Sequence, residues 1–142
     1  MPYTQLVSAE MQARILTIMR IMFGLLYVES GTGKFLGFPV VPSFANIAPG
    51  SLPWLGGIVE LTCGTLIVLG LFTRPAAFLA SGEMAIAYFV AHNPRSFFPI
   101  LNGGIPAVAY CFAFLYIAFA GGGAWSLDRL LTARGWRYWW MR

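Results

Sequence analysis

The chain has few charged side chains, one histidine and two cysteines. Charged residues make up 10% of its 142 residues and hydrophobic residues 58%, whereas soluble domains carry roughly 25% charged residues. Two cysteines are too few for a disulfide scaffold, and one histidine excludes a metal site built from histidines alone, so we expect no metal. The composition also excludes a disordered chain and a coiled coil, and predicts side chains that mostly face lipid.

Four apolar stretches are long enough, or nearly so, to cross a bilayer, which takes about 20 helical residues. The breaks between them are rich in Pro, Gly and Asn. At the second break, Thr73 is expected to cap the third helix, with Pro75 in its first turn. The sequence therefore predicts an all-α, integral membrane four-helix bundle, one domain over residues 1–142, with spans at about 15–35, 52–72, 76–91 and 105–119.

The tail from Ser126 onward has a different composition. Ser126 is the expected N-cap of a short amphipathic helix, and aromatic residues then alternate with arginines: Arg134, Trp136, Arg137, Tyr138, Trp139, Trp140 and Arg142. Aromatic rings among arginines are typical of segments at the lipid headgroup surface. We therefore expect an interfacial tail over about residues 126–142.

Lys and Arg are distributed unequally between the two sides of the predicted spans. Six arginines near span ends fall on the side of both termini, and Lys34 and Arg95 fall on the other. The positive-inside rule then places both termini in the cytoplasm of a bacterial inner membrane. The first span is too long for a cleavable signal peptide. Because the basic residues are mostly scattered, we expect the bilayer as the partner of this charge and no nucleic acid.

Ionisable side chains inside membrane spans are costly, so each is a candidate functional residue. At about 1.5 Å per residue, Glu29 and Glu60 lie at the same depth, roughly 21–22 Å from the cytoplasmic edge. His92 lies just above them, near Lys34, Arg95 and the turn at residues 102–104. The predicted ligand-binding cluster in the outer half comprises Glu29, Lys34, Glu60, His92, Arg95 and Asn102. The alternative is that each carboxylate is satisfied locally and holds helices together.

Two further predictions follow from depth and helical phase. Arg20 and Glu83 lie within about one turn of each other in depth, which predicts a structural ion pair. Glu83 and His92 are nine positions apart, about half a turn out of phase. Either the helix bends near Asn93 and Pro94, or one of the two side chains faces a headgroup or another subunit. Arg20 and Glu29 have the same nine-residue offset, and this recurrence predicts more than one buried polar face and hence a homo-oligomer.

Several motifs resemble the DoxX family of small four-helix inner-membrane proteins over about residues 14–128. The matching residues are Gly31, Lys34 to Pro39, Gly57, Glu60, Gly64, Leu69 to Arg74, Ala76, Ala77, Met84, Ala85, Ala87 to Phe89, His92, Phe98, Pro99, Asn102 to Gly104, Tyr110 and Trp125 to Asp128. Two departures stand out: Ser30 replaces a histidine that is common in relatives, and Ile105 replaces a common glutamate. These departures favour a binding or accessory role over proton-coupled chemistry.

The resemblance implies two main functions, and catalytic residues stay unassigned. The first is an accessory subunit of a membrane oxidoreductase system that handles a quinone or a sulfur or thiol compound, with quinone as the candidate cofactor and a soluble or membrane redox partner. The alternative is a non-catalytic membrane scaffold or a small-molecule or lipid-binding protein. Transport is the weaker third hypothesis, because four short spans leave little room for alternating access.

Overall fold

The computed structural model describes residues 8–136 and 138, and within them the chain is all-helical, with no strand. The helices are α1 (Ala9–Leu36), α2 (Leu52–Leu69), α3 (Thr73–Ala87), α4 (Pro99–Asn102), α5 (Ile105–Ala120) and α6 (Leu127–Ala133). A 3₁₀ turn spans Pro42–Phe44, and a π-helical segment, Tyr88–His92, continues α3. The predicted all-α class is confirmed, and a helix lies at each of the four predicted spans. Residues 137 and 139–142 of the predicted interfacial tail lie outside the described residues.

The four long helices pack as two hairpins placed side by side. The closest pairings are α1 with α2 and α3 with α5, and α2 joins the hairpins by packing on α3. Glycines let α1 and α2 approach closely: a Cβ on Gly31 would lie 2.7 Å from Leu61 Cγ, and one on Gly64 would lie 2.7 Å from Val28 Cγ2. In lipid the hydrophobic effect does not drive helices together, so they associate through close packing, which small residues at the interface allow.

The bundle has an apolar core that also buries several polar side chains, and many large apolar side chains lie on its surface. The most deeply buried large side chains include Arg20, Glu60 and Thr17, whereas Ile15, Phe78 and many other large apolar residues are more than half exposed. Within the described residues, α1 and α2 are long and apolar enough to cross a membrane, and α5 is apolar but shorter. An apolar surface over buried polar side chains is the arrangement that lipid favours.

We call the two ends of the bundle the loop end and the terminal end, after the segments that lie there. At the loop end, α1 ends and α2 begins around the 3₁₀ turn, and α3 gives way to α4 and α5. At the terminal end, α1 begins, α2 meets α3, and α5 meets α6. Gly70 ends α2 there with a φ of 68°, and a Cβ on it would lie 2.6 Å from Ser126 Cβ, so only glycine fits this turn.

The start of α3 differs from the prediction. Thr73 is the first helical residue, and the residue before it is Phe72, whose φ is 49°. The carboxylate of Asp128 caps the helix from a distant part of the chain, accepting from the Phe72 N–H at 2.9 Å and the Thr73 N–H at 2.8 Å. Ser126, by contrast, caps α6 as predicted, accepting from the Arg129 N–H at 3.2 Å.

The end of α3 explains how one helix carries both Glu83 and His92, which would lie on opposite faces of a straight α-helix. The helix changes its winding before Asn93, because Tyr88–His92 is π-helical and the Asn93 N–H donates to Tyr88 O at 2.9 Å. A wider turn shifts the angular position of every later side chain. His92 thereby reaches the 93–104 connection instead of the face that carries Glu83.

Candidate functional site

A buried ion pair joins α1 to α2 near the loop end of the bundle. Lys34 Nζ lies 2.8 Å from Glu60 Oε2, and Ser30 Oγ donates to Glu60 Oε1 at 2.9 Å. Glu60 is 2% exposed. Glu60 therefore has partners on both carboxylate oxygens, and both partners come from α1, one helical turn apart.

A second carboxylate reaches the same place from α3. Tyr27 Oη donates to Glu83 Oε2 at 2.8 Å, and Tyr27 is 1% exposed. A Cβ on Gly56 would lie 2.8 Å from Glu83 Oε1 and 3.8 Å from Lys34 Nζ, so both charged groups converge on this glycine. We call Tyr27, Ser30, Lys34, Glu60 and Glu83 the central cluster.

The central cluster holds two carboxylates and one ammonium group. The Lys34 ammonium also lies 5.5 Å from the centroid of the Phe44 ring, which attracts a cation. A net charge in a bilayer is costly. A group of this composition becomes neutral only when it holds one proton or one further cation, so it is suited to exchange a proton or to bind a polar headgroup.

His92 and Asn102 lie together in a second group, the loop cluster, which also contains Tyr88 and Ser96. His92 Nδ1 lies 3.1 Å from Asn102 O. The buried Asn102 side chain donates to Ser96 O at 2.7 Å and accepts from the Gly104 N–H at 2.7 Å. Tyr88 Oη donates to Phe97 O. These bonds satisfy the backbone of the 93–104 connection and hold it on the end of α3.

The six predicted ligand-binding residues thus fall into three groups. Lys34 and Glu60 belong to the central cluster, and His92 and Asn102 to the loop cluster. Glu29 and Arg95 are exposed and belong to neither. No hydrogen bond or ion pair within the part of the chain that the structure describes joins the two clusters. Glu29 has the depth of Glu60 but lies two residues after Tyr27, on another face of α1.

The predicted ion pair between Arg20 and Glu83 is not present, because Arg20 points to the terminal end of the bundle and Glu83 belongs to the central cluster. Arg20, fully buried, donates to four backbone carbonyls at the terminal end: Ile67, Val68, Gly122 and Trp125. The Val68 contact measures 2.6 Å and the Gly122 and Trp125 contacts each measure 2.8 Å. The last carbonyls of α2 have no partner within the helix. A guanidinium group with five N–H donors satisfies them.

Sequence reasoning missed Tyr27 and assigned Glu83 to the wrong group. Tyr27, Gly31 and Lys34 follow the i, i+4, i+7 spacing of one helix face, so periodicity around Lys34 would have found the tyrosine. Depth alone placed Glu83 too low, because it treats helices as straight and parallel and ignores the reach of a long side chain. Cys63 and Cys111 are free.

The chain is similar to several membrane proteins. The DoxX family model matches residues 15–93, which include Lys34, Glu60 and Glu83. An uncharacterized protein of Haemophilus influenzae is 44% identical over 80% of this chain and 87% of its own length. The inner membrane protein YphA of Escherichia coli is 32% identical over 81% and 89%, and an uncharacterized membrane protein of Mycobacterium tuberculosis is 27% identical over 93% and 90%. No solved structure gives a significant match. The family match and these identities show that the chain belongs to the DoxX family.

Proposed function

We propose that the chain is a multi-pass protein of the bacterial inner membrane with four spans and both termini in the cytoplasm. The spans are α1, α2, α3 with its π-helical extension, and α5. At about 1.5 Å per residue, the 28 residues of α1 and the 16 of α5 extend about 42 Å and 24 Å. The excess of arginine at the terminal end supports this orientation, and two Escherichia coli relatives are named inner membrane proteins.

Within that membrane, the proposed role is an accessory subunit of an oxidoreductase system that handles a quinone or a sulfur or thiol compound. One observation carries this proposal: two carboxylates lie near a single ammonium group, because Lys34 is ion-paired with Glu60 and lies, like Glu83, beside Gly56. Oxidation of a quinol or a thiol releases protons, and a cluster that lacks one positive charge is suited to accept one. Glu83 and Lys34 are partly exposed, which gives a ligand access.

The hydrogen-bond donors of the central cluster suit a quinone headgroup. An ammonium group has three N–H donors, and the ion pair with Glu60 uses one, so Lys34 would hold a quinone carbonyl. Aromatic rings flank the cluster: Tyr27 lies 4.8 Å from Phe114 and 6.1 Å from Tyr110, between ring centroids. Tyr27 and Phe114 are fully buried and pack on each other, so a quinone ring would lie on the partly exposed side of the cluster, beside Lys34 and Glu83. A bound quinone would supply the redox chemistry, while the chain orients the ring and accepts protons.

The second candidate function is a non-catalytic scaffold, and the same cluster favours it for a different reason. Lys34 with Glu60 joins α1 to α2, and Tyr27 with Glu83 joins α1 to α3. Polar contacts of this kind hold membrane helices together. In this role the cluster would determine helix packing and would bind no ligand.

Quinone retention by variants of the full-length protein separates the two functions. The protein is purified in mild detergent from membranes that contain quinone, and bound quinone is measured by mass spectrometry. We expect Glu60→Gln and Glu83→Gln to retain less than half of the wild-type quinone. The matched control, Glu29→Gln, removes an exposed carboxylate from α1 at the same predicted depth and should retain all of it.

A thermal unfolding curve of each variant completes the experiment. If Glu60→Gln and Glu83→Gln lose quinone while remaining folded, the binding role is supported. If all variants and the wild type hold the same trace of quinone, and the two cluster variants only unfold at lower temperature or change oligomeric size, the scaffold role is supported and the oxidoreductase role fails.

A further inference from the structure

Two adjoining cavities open at the terminal end of the bundle, away from the central cluster. The first has a volume of about 320 Å³, and the glycines that follow α5 and residues of α6 line it, together with Arg74. The second has a volume of about 450 Å³ and lies between α6 and the end of α2. Ser126 and Arg129 line both cavities. Volumes of this size are typical of small-molecule sites.

The first cavity is lined by two guanidinium groups without an acidic partner. Ion pairs within the described residues join Arg14 to Glu10 and Lys34 to Glu60, and none involves Arg74 or Arg129. Arg74 donates through Nη1 to Ala118 O and Phe119 O, which leaves Nε and Nη2 beside Gly121. The lining also contains Asp128, but its carboxylate accepts from two backbone N–H groups at the start of α3.

The second cavity is mainly apolar. Its lining includes Leu69, Trp125, Leu127 and Leu130, and each of these side chains is exposed. The cationic end of one cavity therefore continues into the apolar wall of the other through Arg129. This sequence of surfaces, first basic and then apolar, matches the order of groups in an amphiphile with an anionic head.

We propose that these joined cavities form a binding site for an anionic phospholipid. Its phosphate would lie between Arg74 and Arg129, and the beginning of one acyl chain would lie along Leu69 and Leu130. Guanidinium groups bind phosphate through paired N–H donors. The two guanidinium groups outnumber the one carboxylate in the lining, Asp128, whose two oxygens each already accept a backbone N–H, so the site favours a net negative headgroup. This inference does not depend on the role of the central cluster.

Lipid titration of the full-length protein in detergent tests the proposal. Dioleoylphosphatidylglycerol and dioleoylphosphatidylcholine are added separately, and bound lipid is counted by native mass spectrometry. We expect phosphatidylglycerol to bind at least tenfold more tightly. Arg129→Gln should weaken its binding about fivefold, the effect of one cation near a lipid surface. The matched control is Arg134→Gln, because Arg134 is exposed at the same end and lines neither cavity.

Arg74→Gln is expected to weaken binding further, but it also removes two hydrogen bonds from the end of α5. Arg129→Gln removes only one long contact, 3.5 Å to Ala124 O, so it is the decisive variant. Equal binding of the two lipids overturns the proposal. An equal loss in Arg129→Gln and Arg134→Gln also overturns it, since general surface charge would then explain the binding. Inorganic phosphate distinguishes the headgroup alone from the whole lipid: if millimolar phosphate displaces phosphatidylglycerol completely, the apolar cavity does not contribute and the phospholipid assignment fails.

Discussion

The terminal end and the central cluster both bury charge inside the bundle, but they neutralise it in different ways. Arg20 donates to four backbone carbonyls, whereas Glu60 pairs with the side chains of Lys34 and Ser30. Backbone carbonyls do not titrate, so the surroundings of Arg20 keep one state. Side-chain partners can gain or lose protons. The comparison indicates that the buried charge at the terminal end serves architecture and that the central cluster can serve chemistry.

Removal of Arg20 is expected to cause the largest loss of stability. In Arg20→Met, the carbonyls at the end of α2 and after α5 lose their common donor. We expect the free energy of unfolding to fall by about 6 kcal/mol or more, since Arg20 donates four hydrogen bonds and each charged hydrogen bond contributes about 1.5–3 kcal/mol. Denaturant unfolding in detergent micelles measures this loss. Arg14→Met is the control, because Arg14 pairs with Glu10 on the surface of the same helix; equal unfolding of the two variants would refute the architectural role.

The central ion pair gives the next largest effect. Lys34→Met leaves two carboxylates without their ammonium group, and we expect a loss of about 3 kcal/mol of unfolding free energy. In the double variant Lys34→Met with Glu60→Gln, most of this loss should be recovered, because the buried charge is removed together with its partner. Arg95→Met, which removes an exposed cation at the loop end, should leave stability unchanged. Additive losses in the double variant would show that the pair is not coupled.

The smallest loss of stability is expected from Tyr27→Phe, which removes one oxygen atom. Tyr27→Phe removes the donor to Glu83 but keeps the ring against Phe114. We expect the unfolding free energy to fall by about 1 kcal/mol, and quinone retention to fall with it because Glu83 loses its orientation. Tyr116→Phe, at an exposed tyrosine on α5, is the control. Unchanged quinone retention in Tyr27→Phe would place the ligand away from Glu83.

The sequence predicted the helices better than it predicted the partners of the buried charges. Long apolar runs and capping residues indicate spans directly, which is why α1 and α2 were placed correctly. Depth along a helix brought Lys34 and Glu60 to one level but could not separate Glu29 from Glu60, because depth says nothing about the face of a helix.

Other contacts could not be predicted from the types and spacing of the side chains. The acceptors of Arg20 are backbone carbonyls, which every residue has, so no residue type indicates them. The π-helical turn at Tyr88–His92 moved His92 away from the face of Glu83, and the partner of its side chains, Asn102, lies ten or more residues away, outside the reach of local helix periodicity. Asp128 caps a helix that begins 55 residues earlier in the chain, a distance that local capping rules do not cover.

That long-range cap has a consequence for biosynthesis. Besides its carboxylate contacts with the start of α3, Asp128 donates its N–H to Gly70 O at 2.9 Å, and the Ala124 N–H donates to Ala13 O at 3.1 Å. The turn between the second and third helices therefore cannot complete its amide hydrogen bonds until the ribosome has added residue 128. The turn between α2 and α3 therefore closes only after α6, which carries Asp128, has been made.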